Sequence, residues 1–159
     1  MEHKFRAWDK ENKCMVYQED MNGHMINKPY WFSLSECEVE LLMYDKDYKA
    51  YCRINADIMK YTGLKDENGT EIYEGDIVEV TRKHWNNCNK EYLEKTTKEL
   101  GVIEFFKDLQ ISLKVKEEDY NLYQPLLWIL EDDSEIEVIG NIYKNSELLE
   151  GNRWNQNMN

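Results

Sequence analysis

Glycine and proline are scarce, with 7 and 2 among 159 residues. That excludes collagen-like repeats and long flexible or proline-rich linkers, and no internal repeat of solenoid period is present. No apolar run approaches the ~20 residues needed to cross a bilayer; the longest, Pro125–Leu130, is core-sized. The N-terminal Met1–Arg6 lacks the apolar centre of a secretory signal, so the chain is expected to stay in the cytoplasm where it is made. Cations are also few: 20 Lys and Arg against 32 Asp and Glu give a formal charge of -12. Such a field repels phosphate backbones, which disfavours nucleic acid as a partner. The densest basic stretch, Arg82-Lys83-His84, is too short for a nucleic-acid footprint.

Reactive residues are thin on the ground as well. Cys14, Cys37, Cys52 and Cys88 are too widely spaced for paired metal ligands and read as free thiols in a reducing compartment. With three histidines in the chain, only His84 and Cys88 approach zinc-ligand spacing, and two ligands fall short of the four a structural site needs. Asp45-Lys46-Asp47 and Asp66-Glu67-Asn68-Gly69 lack the ligand order of a calcium loop and read as turns. There is no nucleophile elbow and no phosphate-cradling glycine loop. The expectation is a protein without catalytic activity, metal or cofactor.

What the sequence does hold is apolar and aromatic mass: 42% hydrophobic residues, including 5 Trp and 11 Tyr, sufficient for one folded core. Lys4–Trp8 alternates polar and apolar, Asp9–Lys13 is a polar turn, and Cys14–Tyr17 follows, a hairpin pattern. Gln18–Phe32, with Asn22-Gly23 and Pro29, reads as loop. A second hairpin is expected from Cys37–Tyr44 and Tyr48–Ile54 around Asp45-Lys46-Asp47.

A short strand at Ile58–Tyr61 leads to Asn68-Gly69, the pair a type I′ turn favours because both central residues need positive φ. Glu74-Gly75-Asp76 turns into Ile77–Val80, a half-buried strand by its β-branched residues. His84–Leu100 fits a helix or a long loop equally. Strands follow at Gly101–Phe106 and Gln110–Lys116, then an apolar segment at Leu122–Leu130 between two acidic clusters. A closing strand spans Ser134–Tyr143 with a bulge expected at Gly140; one helical turn fits Ser146–Leu149, and Gly151–Asn159 reads as a flexible tail.

The stretch Tyr61–Val78 (YTGLKDENGTEIYEGDIV) resembles the signature of the YopX family of bacteriophage and prophage proteins, and Lys4–Asp9 and Glu137–Leu149 resemble that family's two ends. The resemblance implies a mainly β fold with little helix: a small SH3-like β-barrel over residues 56–150, an N-terminal hairpin-rich region over 1–55 packed on it, and a tail at 151–159. Several short strands joined by tight turns suit such a barrel. It also implies a bacterial host cell as the setting, but no biochemical activity. Within the signature, Gly63, Asn68, Gly69, Gly75 and Asp76 are expected as structural turn residues, with glycine supplying dihedrals other residues resist.

The expected function is therefore that of a phage or prophage accessory protein that binds another protein of host or phage, with self-association into a homo-oligomer as a further expectation. Tyr30, Trp31 and Phe32 form the candidate interface, because three consecutive aromatics in a loop cannot all enter one core. The alternatives are a nucleic-acid-linked role, either direct binding or mimicry of DNA by the acidic surface, and an enzyme assembled from distant residues.

Overall fold

Asp9 and Asn12 set the first turn. In the computed structural model the Asp9 carboxylate accepts the N–H groups of Glu11 and Asn12, both at 2.9 Å, and Lys13 takes a positive φ of 52°. This closes the hairpin of β1 (Phe5–Asp9) and β2 (Cys14–Tyr17), in which Ala7 lies opposite Val16. The structure describes residues 4–18, 30–34, 38–86, 91–106, 110–116, 120–131 and 133–150. The chain divides into two compact units, Met1–Tyr61 and Thr62–Asn159. The division falls inside a strand, β6 (Ala56–Lys65), and so lies six residues beyond the 55/56 boundary drawn from sequence.

In the first unit, β1 pairs antiparallel with β2 on one side and with the first half of β6 on the other. A second sheet has the order β3 (Tyr30–Leu34), β4 (Val39–Asp45), β5 (Ala50–Arg53). Its β4–β5 turn is tied by Asp45, whose Oδ1 accepts from Asp47 N and Tyr48 N. Phe5, Ala7, Val16, Phe32 and Leu41 form the core of this unit. Tyr30-Trp31-Phe32 thus sits on a strand, not in a loop. The loop reading leaned on Pro29, but proline ahead of a strand only bounds it, and three aromatics suit a pleated surface.

In the second unit the sheet order is β11 (Asn121–Pro125), β10 (Gln110–Lys116), β9 (Leu93–Phe106), β8 (Asp76–Trp85), β12 (Glu135–Asn141), all antiparallel. One face carries Val78, Val80, Ile103, Leu113, Val115 and Ile136, and the six-residue helix α1 (Leu126–Glu131) lays Leu126 and Ile129 into this cluster. The other face carries Ile77, Leu100 and Val102 beneath Ile142 and the single turn α2 (Glu147–Glu150). The alternation of Leu100, Val102 and Ile103 between clusters is the period of two expected of a strand buried on both faces. The register of β12 on β8 shifts between Val138 and Gly140, a bulge.

Most of the described part of residues 84–100 is strand: β8 runs to Trp85 and β9 starts at Leu93, with Arg82 opposite Thr97 and His84 opposite Lys95. This arm is polar on both faces, so hydrophobic periodicity carries no sign of it. Residues 107–109 between the strands expected at Gly101–Phe106 and Gln110–Lys116, the acids 117–119 and the tail 151–159 lie outside the described residues. The protein is mainly β, with two short helices among the described residues, and no described helix is long and apolar enough to cross a membrane.

Candidate functional site

The signature segment is built for its own geometry. Asp66 N–H donates to Thr70 O at 2.8 Å and Gly69 N–H to Asp66 O at 3.0 Å, while Gly69 has φ 81°. Asn68 has no positive φ, so the turn is not the two-residue type I′ form; it is a three-residue loop ending in a left-handed glycine. The cause is Asp66, whose Oδ1 accepts Asn68 N at 2.9 Å and Thr70 N at 2.7 Å and draws the loop around itself. Its Oδ2 accepts Val138 N at 3.0 Å, and Glu67 N–H donates to Ile136 O at 3.2 Å. The loop after β6 therefore occupies backbone groups on β12, an edge strand of the five-stranded sheet. Burial pushes the Asp66 pKa up, but the N–H groups of Val138, Thr70 and Asn68 outweigh it and hold the carboxyl below its ordinary value.

Gly75, φ 78°, donates to Ile103 O and accepts from Ile142 N, joining β9 to the chain after β12. Asp76 is buried, its Oδ2 accepting Tyr73 N at 2.7 Å across the turn from β7 (Glu71–Tyr73). Gly63 lies within β6 and not in a reversal; its φ of 84° bends the strand in a way that a Cβ would oppose. Of these residues, Asp66 and Asp76 spend their carboxylates on backbone N–H groups of the fold.

The Tyr30-Trp31-Phe32 strand has one side chain in the core, Phe32, while Tyr30 donates its hydroxyl to Asp9 Oδ2 at 2.9 Å and Trp31 is half-buried. Because Tyr30 has one hydroxyl proton and Asp9 receives it, the Cys14 thiol, 3.5 Å away, is the donor to Tyr30 Oη. Burial, then these bonds and the Asp9 charge, push the Tyr30 pKa well up.

A metal or catalytic cluster would have to come from His, Cys and carboxylates. Among the described residues no group of three or more converges. His84 Nε2 is 2.9 Å from Thr97 Oγ1, and Cys88 lies outside the described residues. A cavity of about 410 Å³ lies on the face of β9 and β10 beside α2, lined by Leu100, Val102, Glu104, Lys114, Lys116 and Leu149 among others. Its Lys114 is bound to Glu104 at 2.8 Å, a bond that raises the lysine pKa and keeps it an ammonium, so Lys114 is a fixed charge there and not a nucleophile.

The surface that stands out is β11 and α1. A helix has 3.6 residues per turn, so six residues offer the core only one short stripe: Leu126 is 0% exposed and Ile129 2%. Leu127 and Trp128 are left 61% and 69% exposed, and Leu130 37%. Of the eleven exposed large hydrophobics among the described residues, five (Tyr120, Leu122, Leu127, Trp128, Leu130) fall in this one stretch. Beside them is a cavity of about 460 Å³ lined by Arg82, Tyr123, Gln124, Pro125, Trp128, Ile129 and Glu131. Arg82 bonds Glu99 at 3.2 Å and also Gln124, which fixes the wall of the concavity. Sequence reading took Pro125–Leu130 for core. Its length was the missed signal, since a run that short cannot bury every side as a helix.

A family model described as YopX protein matches residues 4–150. A crystal structure of protein EF1440 from Enterococcus faecalis is similar over 94% of this chain and 99% of its own, at 23% identity and a TM-score of 0.42. No curated protein matches the chain.

Proposed function

The chain belongs to the YopX family, and from that premise we propose that it is a phage or prophage accessory protein that acts in the bacterial cytoplasm without catalysis, by binding another protein through β11 and α1. The five-stranded sheet of the second unit, in this reading, is an SH3-like barrel that presents α1 as a rigid ridge. One observation carries the proposal: Leu127 and Trp128 hold 61% and 69% of their surface in water although neighbouring Leu126 and Ile129 are buried. Contiguous apolar surface of this kind marks interaction sites, and Trp, Tyr and Arg are the residues on which binding energy concentrates. The aromatic strand Tyr30-Trp31-Phe32 offers less, having its phenylalanine in the core and its tyrosine hydroxyl engaged.

The test compares affinity recovery from lysogenic or infected cells with the wild-type chain and with Trp128→Ala and Leu127→Ser. Both side chains are exposed, so each variant should keep wild-type stability within about 0.5 kcal/mol. Loss of a tryptophan anchor should weaken capture by about 30-fold or more. A stoichiometric partner recovered equally by all three proteins would refute the assignment of the surface. Recovery of none, with a monomeric mass in solution, would refute protein binding.

A further inference from the structure

The loop after β6 carries a second kind of chemistry. The sequence holds two Asn-Gly pairs, Asn22-Gly23 and Asn68-Gly69, of which the first lies outside the described residues. An asparagine followed by glycine is the pair most open to imide closure, because no Cβ hinders the approach of the glycine nitrogen to the side-chain carbonyl. Asn68 and Gly69 are both exposed, and nothing lies within 4 Å of where a Gly69 Cβ would stand. Water and space for the reaction are at hand, but the backbone is held in another conformation. Gly69 N–H donates to Asp66 O at 3.0 Å, and neither Glu67 nor Asn68 has a positive φ, which makes Asp66–Gly69 a type I turn. In that turn the Gly69 nitrogen lies near eclipse with Asn68 N, whereas closure needs it swung about the Asn68 Cα–C bond until it eclipses Cβ. The loop resists that rotation through its bonds: Asp66 Oδ1 accepts Asn68 N and Thr70 N, Asp66 Oδ2 accepts Val138 N, and Glu67 N–H donates to Ile136 O. The carboxylate thus accepts the N–H groups on either side of Gly69, and an anion so placed opposes loss of the Gly69 proton, the step that creates the nucleophile.

We infer that Asn68-Gly69 is a deamidation site gated by the docking of this loop on β12. When the loop opens, solvent base removes the Gly69 N–H proton, the nitrogen bonds to Asn68 Cγ, and the Cγ–Nδ2 bond breaks with Nδ2 leaving as ammonia. Water then opens the imide. Attack at Cγ yields aspartate, and attack at the main-chain carbonyl carbon yields isoaspartate, with the chain now running through Cγ. Either product adds a negative charge to the loop, and isoaspartate also inserts a methylene between the Asp66 acceptors and the Thr70 N–H. The longer loop no longer presents Asp66 to Thr70 and Val138 together, so conversion is a one-way release of β12, an edge strand whose backbone groups the loop had occupied.

The experiment incubates the full chain in mildly alkaline buffer, with and without unfolding urea, and quantifies aspartate and isoaspartate at each Asn-Gly pair by peptide mass mapping and isoaspartyl methyl-transfer labelling. In urea Asn68 and Asn22 should convert at similar rates. In native buffer Asn68 should convert at least about tenfold more slowly than in urea, as for a loop open less than about a tenth of the time. Asp66→Ala removes the acceptor of the Asn68, Thr70 and Val138 N–H groups and should raise the native rate about tenfold. Hydrogen exchange on the wild-type chain, which depends on no variant folding, should find Gly69 N–H protected, and protection at Val138 N–H should fall once Asn68 has become isoaspartate. Equal rates in native buffer and urea, or an unprotected Gly69 N–H, would overturn the gate. A folded Asp66→Ala with the wild-type rate would remove Asp66 from it. Conversion of Asn22 but not Asn68 in urea would remove the site itself, and intact Val138 protection in the isoaspartate form would refute the release of β12.

Discussion

Tyr30 shows how a single hydroxyl can decide what a residue is for. Its bond to Asp9 Oδ2 is one of several that the buried carboxylate accepts, with Glu11 N, Asn12 N and Asn12 Nδ2. Burial raises the Asp9 pKa, yet the bonds from Asn12, Tyr30 and Glu11 outweigh it and hold the carboxyl below its ordinary value. Tyr30→Phe deletes one donor to this anion without changing the ring. It should lower stability by about 2 kcal/mol, the scale of a hydrogen bond to a charged group, read as a fall in the urea midpoint with unchanged slope. Three adjacent aromatics were legible as a feature of the sequence, but the burial of Phe32 and the partner of Tyr30 were not. Asp9 is 21 residues from Tyr30, and only the fold of the first unit brings them together.

Among elements, those written in local chemistry were legible and those written in pairing were not. The hairpin of β1 and β2, that of β4 and β5, and the strands β9, β10 and β12 follow from alternation punctuated by polar turns. The β8–β9 arm did not, because strands solvated on both faces show no period. The Asn68-Gly69 turn was located but mistyped, since the aspartate that shapes it lies outside the dipeptide. That aspartate carries the next prediction. Asp66 binds its own loop to β12 while ionised, and its folded pKa lies below the unfolded value of about 4. Its contribution is therefore complete above pH ~4 and lost as pH falls through the folded value. Asp66→Asn places an amide donor against Val138 N–H or surrenders the loop acceptor, and should cost about 2 kcal/mol at neutral pH. Urea midpoints for this variant should also fall less steeply than wild type between pH 5 and about 3. An unchanged pH slope would show that Asp66 does not titrate with folding. Exchange protection at Val138 N–H should drop in the same variant, reporting release of the β12 edge.

Across the whole molecule the governing quantity is charge. Ion pairs among the described residues include Lys10 with Asp57, Arg53 with Glu40, Arg82 with Glu99, Lys83 with Glu135, Lys98 with Glu79 and Lys114 with Glu104, all between partly exposed side chains. Solvent screens such pairs, so each contributes little to stability. They still leave a net charge of -12 on the chain, whose self-repulsion opposes compactness. Raising ionic strength from roughly 0.02 to 0.5 M shortens the screening length from over 20 Å to about 4 Å, which relieves the repulsion among many distant carboxylates while weakening only a few short pairs. The urea midpoint should therefore rise with sodium chloride, a salt chosen because sulfate would stabilise by exclusion as well. A fall would mean that the pairs outweigh the excess.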